Sequence, residues 1–127
     1  MRSFAVALDA RGEAHGVRAF SVHPGAVLTE LSRSLSKEEA DAAVATASKM
    51  SSGLKTVEQG AATSVWCATS HALDGKGGVY CEDCDVAEAV PADFPEPRGV
   101  RPWAMDSAQA ERLWTKSEEW TGVTFRA

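Results

Sequence analysis

The cysteines, the lone tyrosine and one proline–glycine pair are the residues whose types and spacing bear on chemistry. Cys81-Glu82-Asp83-Cys84 is a C-x-x-C pair, the spacing of half a zinc site or of a dithiol redox centre. Zinc needs four ligands, and the other soft donors are only Cys67, His15, His23 and His71, with no second C-x-x-C. A redox pair wants a helix N-terminus to lower a thiol pKa, whereas these cysteines leave a strand for an acidic loop. Neither metal nor redox chemistry is expected of them. Ser21, Ser64 and His71 lack the spacing of a hydrolase triad, and His71 reads as a cap or surface residue near the negative end of a helix. Gly12-x-x-x-Gly16 ends a helix and precedes a strand; a phosphate-binding loop follows a strand and opens a helix. What remains is Pro24-Gly25-x-x-x-Thr29, at the end of the apolar run Val17 to Val22. Pro24 has no N–H for a ladder, so the strand stops there. Gly25 tolerates positive φ and turns the chain away at the carboxyl end of that strand, where ligands bind in open parallel sheets.

Those residues need elements to hold them. Residues 1–15 read as a helix, with Phe4, Leu8 and the alanines at 5, 7 and 10 on an apolar face, closed by Gly12 and Gly16. It is either an ordinary amphipathic start or the continuation of a longer helix interrupted at Met1. Val17 to Val22 reads as a strand, His23-Pro24-Gly25 as a tight turn, and Glu30 to Ser34 as a short helix. Ser36 with Glu39, and Thr56 with Gln59, form capping boxes. The first opens a helix with Ala40, Ala43, Val44, Ala47 and Met50 on one side; the second opens a helix from Val57 to about Ser70, with Ala61, Val65 and Ala68 on its buried side beside Ala62, Trp66 and Cys67. After the loop Asp74 to Gly78, Val79-Tyr80-Cys81 reads as a second strand, parallel to the first by the βαβ rule. Residues 91–102, with Pro91, Pro95, Pro97, Gly99 and Pro102, form an extended loop. Asp106 caps a last helix with Ala110, Leu113, Trp114 and Ser117 on one face, and Trp114 and Trp120 are assigned to packing.

The totals narrow the function classes. One small domain, or part of one, is all that 127 residues allow. Thirteen basic against eighteen acidic residues give a net charge of −5 without a basic stripe, which argues against a nucleic-acid surface. No apolar run reaches the roughly 20 residues of a membrane span, and no signal peptide is evident at the start. Three cysteines form no disulfide framework, which points to a reducing cytoplasm.

The stretch Val17 to Leu31, VRAFSVHPGAVLTEL, resembles the Pro-Gly block of short-chain dehydrogenases/reductases, the retinol-dehydrogenase-like branch in particular. The resemblance continues to the C-terminus but covers only the C-terminal part of that fold. It implies that Pro24 and Gly25 form the turn, that the Val27 backbone and the Thr29 hydroxyl face the nicotinamide of NAD or NADP, and that the substrate is a small-molecule alcohol or carbonyl. It also implies that Leu28 to Met50 lies over substrate and cofactor as a mobile lid, the alternative being a plain surface helix. The family's general acid/base is a tyrosine with a lysine four residues later. The only tyrosine here is Tyr80, four residues before Cys84, so no catalytic residue is assigned.

The fold expected is α/β: residues 1–127 as the C-terminal portion of a doubly wound Rossmann-type sheet, two short parallel strands with flanking helices, its N-terminal cofactor half absent. Two parallel strands are too few to stand alone, and the strand at 17–22 would present an open edge. Two functions follow. One is an NAD(P)-dependent oxidoreductase acting by hydride transfer. The other is a non-catalytic remnant or interaction module, a homodimer or partner chain meeting residues 1–15 and 57–70.

Overall fold

The computed structural model describes residues 2–48 and 53–125. Helix α1 (Arg2–Gly12) runs into a 3₁₀ turn, Glu13–His15, which Gly16 closes at φ 74°. Strand β1 (Ser21–His23) follows, then β2 (Ala26–Val27) and a 3₁₀ segment, Glu30–Ser34. Helix α2 (Lys37–Ala47), strand β3 (Leu54–Lys55) and helix α3 (Val57–Thr69) come next. The chain ends with β4 (Tyr80–Glu82), β5 (Asp85–Val86), a 3₁₀ turn Pro102–Ala104, and α4 (Ser107–Thr121).

The parallel pairing expected between the two main strands is present. Ser21, Val22 and His23 lie opposite Tyr80, Cys81 and Glu82. Among the described residues the count of two strands is corrected to five. β5 adds to β4 antiparallel, giving the order β1-β4-β5, and β2 and β3 form a second small parallel sheet. The first strand is also shorter than residues 17–22. Residues 17–20 run in without ladder pairing of their own, although the Gly78 N–H donates to the Ala19 carbonyl at 2.8 Å. His23, assigned to the turn, is the last residue of β1.

Both capping boxes are complete. The Glu39 and Gln59 N–H groups donate to the Ser36 and Thr56 hydroxyls, and the two side chains accept the cap N–H groups at 2.8 and 2.9 Å. Asp106 caps α4 by accepting from the Ala108 and Gln109 N–H groups. Met50 falls outside the described residues; of the rest of that expected face of α2, Ala47 is buried, Ala40 and Val44 are half-buried, and Ala43 is exposed.

α1 packs on α4. Ala7, Ala110 and Trp114 form one core cluster, with Val6 and Leu8 against it. The Trp114 ring stacks on Phe4 at 4.8 Å and meets Phe125 edge-on at 5.6 Å, and Arg11 covers it while pairing with Glu111. The assignment of Trp114 to packing holds, but Trp120 is 76% exposed and packs against nothing that would bury it. Tyr80, Ala87, Val100 and Ala104 form the second cluster, beneath the Pro-rich loop.

The expected buried face of α3 holds in part: α3 packs on the strands, with Ala62, Trp66 and Cys67 half-buried. Ala61, Val65 and Ala68 face out, and the residues that go under are Gly60 and Thr63, with Cys67 half-buried in line with them. These are i, i+3 and i+7, one helical stripe. The reason is close approach: a Cβ on Gly60 would stand 2.7 Å from a Val27 methyl carbon. The absence of a side chain at Gly60 lets α3 lie down on β2.

Candidate functional site

The Pro24–Gly25 turn ends β1 at its carboxyl end, beside the carboxyl end of parallel β4. Gly25 sits at φ 84°, in the left-handed region that favours glycine. Val27 is half-buried in β2, and Thr29 follows at the surface. The structure thus places Pro24, Gly25, Val27 and Thr29 along one short exposed rim.

Around that rim is a set of supports. Lys55 lies opposite Val27 in the β2–β3 pair. Its stem crosses Gly25, so that a Cβ there would stand 2.6 Å from Lys55 Cδ. Its ammonium group pairs with Asp83. Asp83 and Cys84 are the two central residues of the β4–β5 hairpin, both at positive φ (51° and 58°), the conformation that a two-residue type I′ turn requires. Asp accepts it readily; Cys does so at a cost of about 1–2 kcal/mol. The Cys84 N–H donates to Thr63 Oγ1 at 3.2 Å, and Thr63 is fully buried on α3.

The cysteines are separated by this hairpin. Cys84 is exposed at its tip, whereas Cys81 is fully buried in β4. Burial, followed by the neighbouring Cys67 thiol, pushes the Cys81 thiol up to about 12. Cys81 therefore lies beside Cys67 on α3 rather than working with Cys84. Among the described residues, no three His, Cys, Asp or Glu side chains gather as a metal site. His71 is exposed and pairs with Asp74. Among the described residues, no helix is long and apolar enough to cross a membrane.

Tyr80 is buried, with the Arg2 guanidinium 3.6 Å over its ring. Burial raises its pKa against the opposing pull of Arg2, so the phenol stays protonated near neutral pH and no lysine supports it.

One buried, hydrogen-bonded carboxylate went unrecognised in the sequence. Asp9, on α1, is buried and takes both Arg18 Nε (2.9 Å) and a second guanidinium nitrogen (2.8 Å), together with the Ala19 N–H at 2.9 Å. Burial raises its pKa, but the Arg18 and backbone hydrogen bonds outweigh burial and hold the carboxyl below its ordinary 3.8. Gly77 closes over this pair, and any Cβ on it would overlap the Asp9 carboxylate and the Arg18 guanidinium. The only sequence signal was the Gly77-Gly78 doublet, which read as an ordinary loop. Among the described residues β1 pairs with β4 alone, and an open cleft of about 470 Å³ beside it is lined by Phe4, Leu8, Phe20, Val22 and His23.

Comparison with known proteins gives relatives of one kind. An oxidoreductase of Penicillium decumbens, calI, is 36% identical over 114 residues, covering 85% of this chain and 33% of that protein. The short-chain dehydrogenase/reductase prx1 of Penicillium rubens is 34% identical over 110 residues, covering 87% of this chain and 32% of its own. Retinol dehydrogenase 12 of Homo sapiens is 32% identical over 118 residues, covering 93% and 32%. The chain spans about a third of the length of these curated relatives. No protein-family model matches it. No solved structure matches it at a significant level.

Proposed function

We propose that this chain, a homologue of short-chain dehydrogenases/reductases over most of its length, acts as the C-terminal part of a doubly wound Rossmann-type domain. The whole interconverts an alcohol and a carbonyl with NAD or NADP. The observation that carries the reading is the rim at the carboxyl end of parallel β1, where Pro24 and Gly25 turn the chain and Val27 and Thr29 follow. The nicotinamide, when bound, gives or takes the hydride. The chain's own part is to orient it: the Val27 backbone and the Thr29 hydroxyl would face the nicotinamide carboxamide. Leu28 to Met50 and the Pro-rich loop at 91–102 shape a pocket for the small-molecule substrate. A lipophilic alcohol such as retinol is suggested only by the names of relatives such as retinol dehydrogenase 12, and a shared fold does not fix a substrate. Three free cysteines among the described residues suit a reducing compartment, and we place the protein in the cytoplasm.

Proton transfer and phosphate binding need groups that these residues do not offer, since Tyr80 is buried under Arg2 and no Gly-rich loop opens a helix. The edge of β1 and the apolar cleft beside it suit further strands of the same sheet. Burial of the lone tyrosine also supports a second reading, a non-catalytic interaction module. On that reading a homodimer or partner chain is met by residues 1–15 and 57–70, where Val57 and Val65 are exposed.

The test uses the protein at the length found in its own cells, established by intact mass. Deuterium transfer from dinucleotide labelled at nicotinamide C4 to an aldehyde, with loss of the signal in Thr29→Ala, supports the oxidoreductase. A native mass near 13.5 kDa with no transfer to any of a panel of aldehydes supports the interaction module.

A further inference from the structure

We propose that Lys55 and Asp83 form a clasp that fixes the Pro24–Gly25 rim in place, with Thr63 as its anchor. The contacts close a ring. Lys55 is held by main-chain pairing to Val27, its stem lies over Gly25, and its ammonium group meets Asp83 on the hairpin tip. The hairpin is tied to α3 by the Cys84 N–H on Thr63 Oγ1. One turn earlier on α3, Gly60 rests on Val27 and faces the Pro24 carbonyl at 3.7 Å from where its Cβ would stand. The rim is thereby held at two points, at Val27 by Gly60 of α3 and at Gly25 by the Lys55 stem.

Several features mark the clasp as more than a surface ion pair. The Lys55 side chain is 12% exposed although its partner Asp83 is 59% exposed, so the lysine is laid down rather than extended into water. Its stem packs against the one position on the rim that has no side chain. The hairpin that presents Asp83 keeps a cysteine in the left-handed region, and the buried Thr63 hydroxyl compensates by accepting its N–H. Asp83 is therefore delivered by a fixed turn and not by a mobile loop. An exposed pair between two long, free side chains adds little; here most of the ordering is done by the backbone on both sides.

Lys55 and Asp83 are positioning residues: Lys55 touches the rim, Asp83 holds Lys55, and only the rim would touch a dinucleotide. That last step rests on the function proposed above; the clasp itself does not. The test is amide hydrogen exchange at Gly25 to Thr29 in the native-length protein, for Lys55→Met, Asp83→Asn and the double variant. Lys55→Met keeps the stem over Gly25 and removes only the charge. Each single variant should speed exchange at residues 25–29 about tenfold, the range of one charge-assisted hydrogen bond. The double variant should be no faster than either single one, since both remove the same contact. Lys55→Arg should restore protection, and α1 and α4 should not change. In the same variants, affinity for NAD(P)H should fall about tenfold while affinity for ADP-ribose, which lacks the nicotinamide, stays the same. Unchanged exchange at 25–29, additive effects, or loosening of α4 to the same degree would overturn the clasp, as would loss of the whole fold in both single variants. Faster exchange with unchanged dinucleotide affinity would overturn its positioning role. A protein that binds no dinucleotide refutes the proposed function instead, and the exchange data still decide the clasp.

Discussion

Replacing Gly60 by alanine sets helix propensity against packing, and the structure decides which wins. Gly60 lies within α3, where alanine is favoured over glycine by about 0.8–1.0 kcal/mol. Yet the new Cβ would stand 2.7 Å from Val27 Cγ2. Val27 is β-branched and stiff at χ1, so it cannot yield as the end of a long side chain would. Overpacking of this kind costs about 1–3 kcal/mol. The net expectation is a loss of up to about 2 kcal/mol, or a fall of roughly 8 °C in Tm for a domain of this size. The structure also names the group at fault. With Val27→Ala the Cγ2 atom is gone, and the next neighbours, Val27 Cβ and the Pro24 carbonyl, are both at 3.7 Å, an ordinary contact. In that background Gly60→Ala should therefore stabilise by about 1 kcal/mol, the propensity gain alone. The assay is urea unfolding of the four proteins of this cycle, with the slope checked for two-state behaviour. A Gly60→Ala that stabilises equally with and without the Val27 methyls would refute the close approach of α3 to the rim.

Gly77→Ala should lower stability by about 2 kcal/mol or more, because the added methyl overlaps a buried, hydrogen-bonded carboxylate; thermal unfolding against wild type measures it. Asp9 makes stability depend on acid. Its folded pKa is held below 3.8, so its contribution is complete above that value and is lost as pH falls through the folded one. Tm measured from pH 6 downward, with the pH of each buffer read directly, should show an acid limb that Asp9→Asn flattens. Cys84 should be alkylated in the native protein while Cys81, fully buried and pushed up to about 12, is labelled only after unfolding; peptide mass spectrometry reads the order. Thr63→Val, which keeps the shape and removes the acceptor, should cost about 1–3 kcal/mol by leaving the Cys84 N–H unpaired, and Thr63→Ser should recover most of it.

Features encoded within a few residues were legible in the sequence. Ser36 with Glu39, Thr56 with Gln59, and Asp106 announce helix starts because a short polar side chain reaches its own helix's N–H groups. Pro24-Gly25 announces the end of β1 for the same kind of local reason. The parallel pairing of β1 with β4 followed from chain order. Features set by partners distant in sequence were not legible. The face of α3 was misread in part because apolar periodicity marks Val65 and Ala68, whereas contact with β2 and the hairpin selects Gly60 and Thr63. β2, β3 and β5 are two residues each, too short to carry a period. Asp9 gave no signal on α1, since its partners Arg18, Ala19 and Gly77 meet it only once the chain has turned back at Gly16. Lys55 and Asp83, twenty-eight residues apart, gave no signal at all.

The most direct test of the central claim asks whether the rim meets the nicotinamide end of a dinucleotide. The native-length protein, isotopically labelled, would be titrated with NAD or NADP and separately with ADP-ribose, while the Val27 methyl and Thr29 amide resonances are followed. Shifts at both residues with the dinucleotide and none with ADP-ribose are the result expected if Pro24, Gly25, Val27 and Thr29 hold the nicotinamide. Saturation with the dinucleotide that leaves residues 24–29 unmoved, or equal shifts from ADP-ribose, would contradict it.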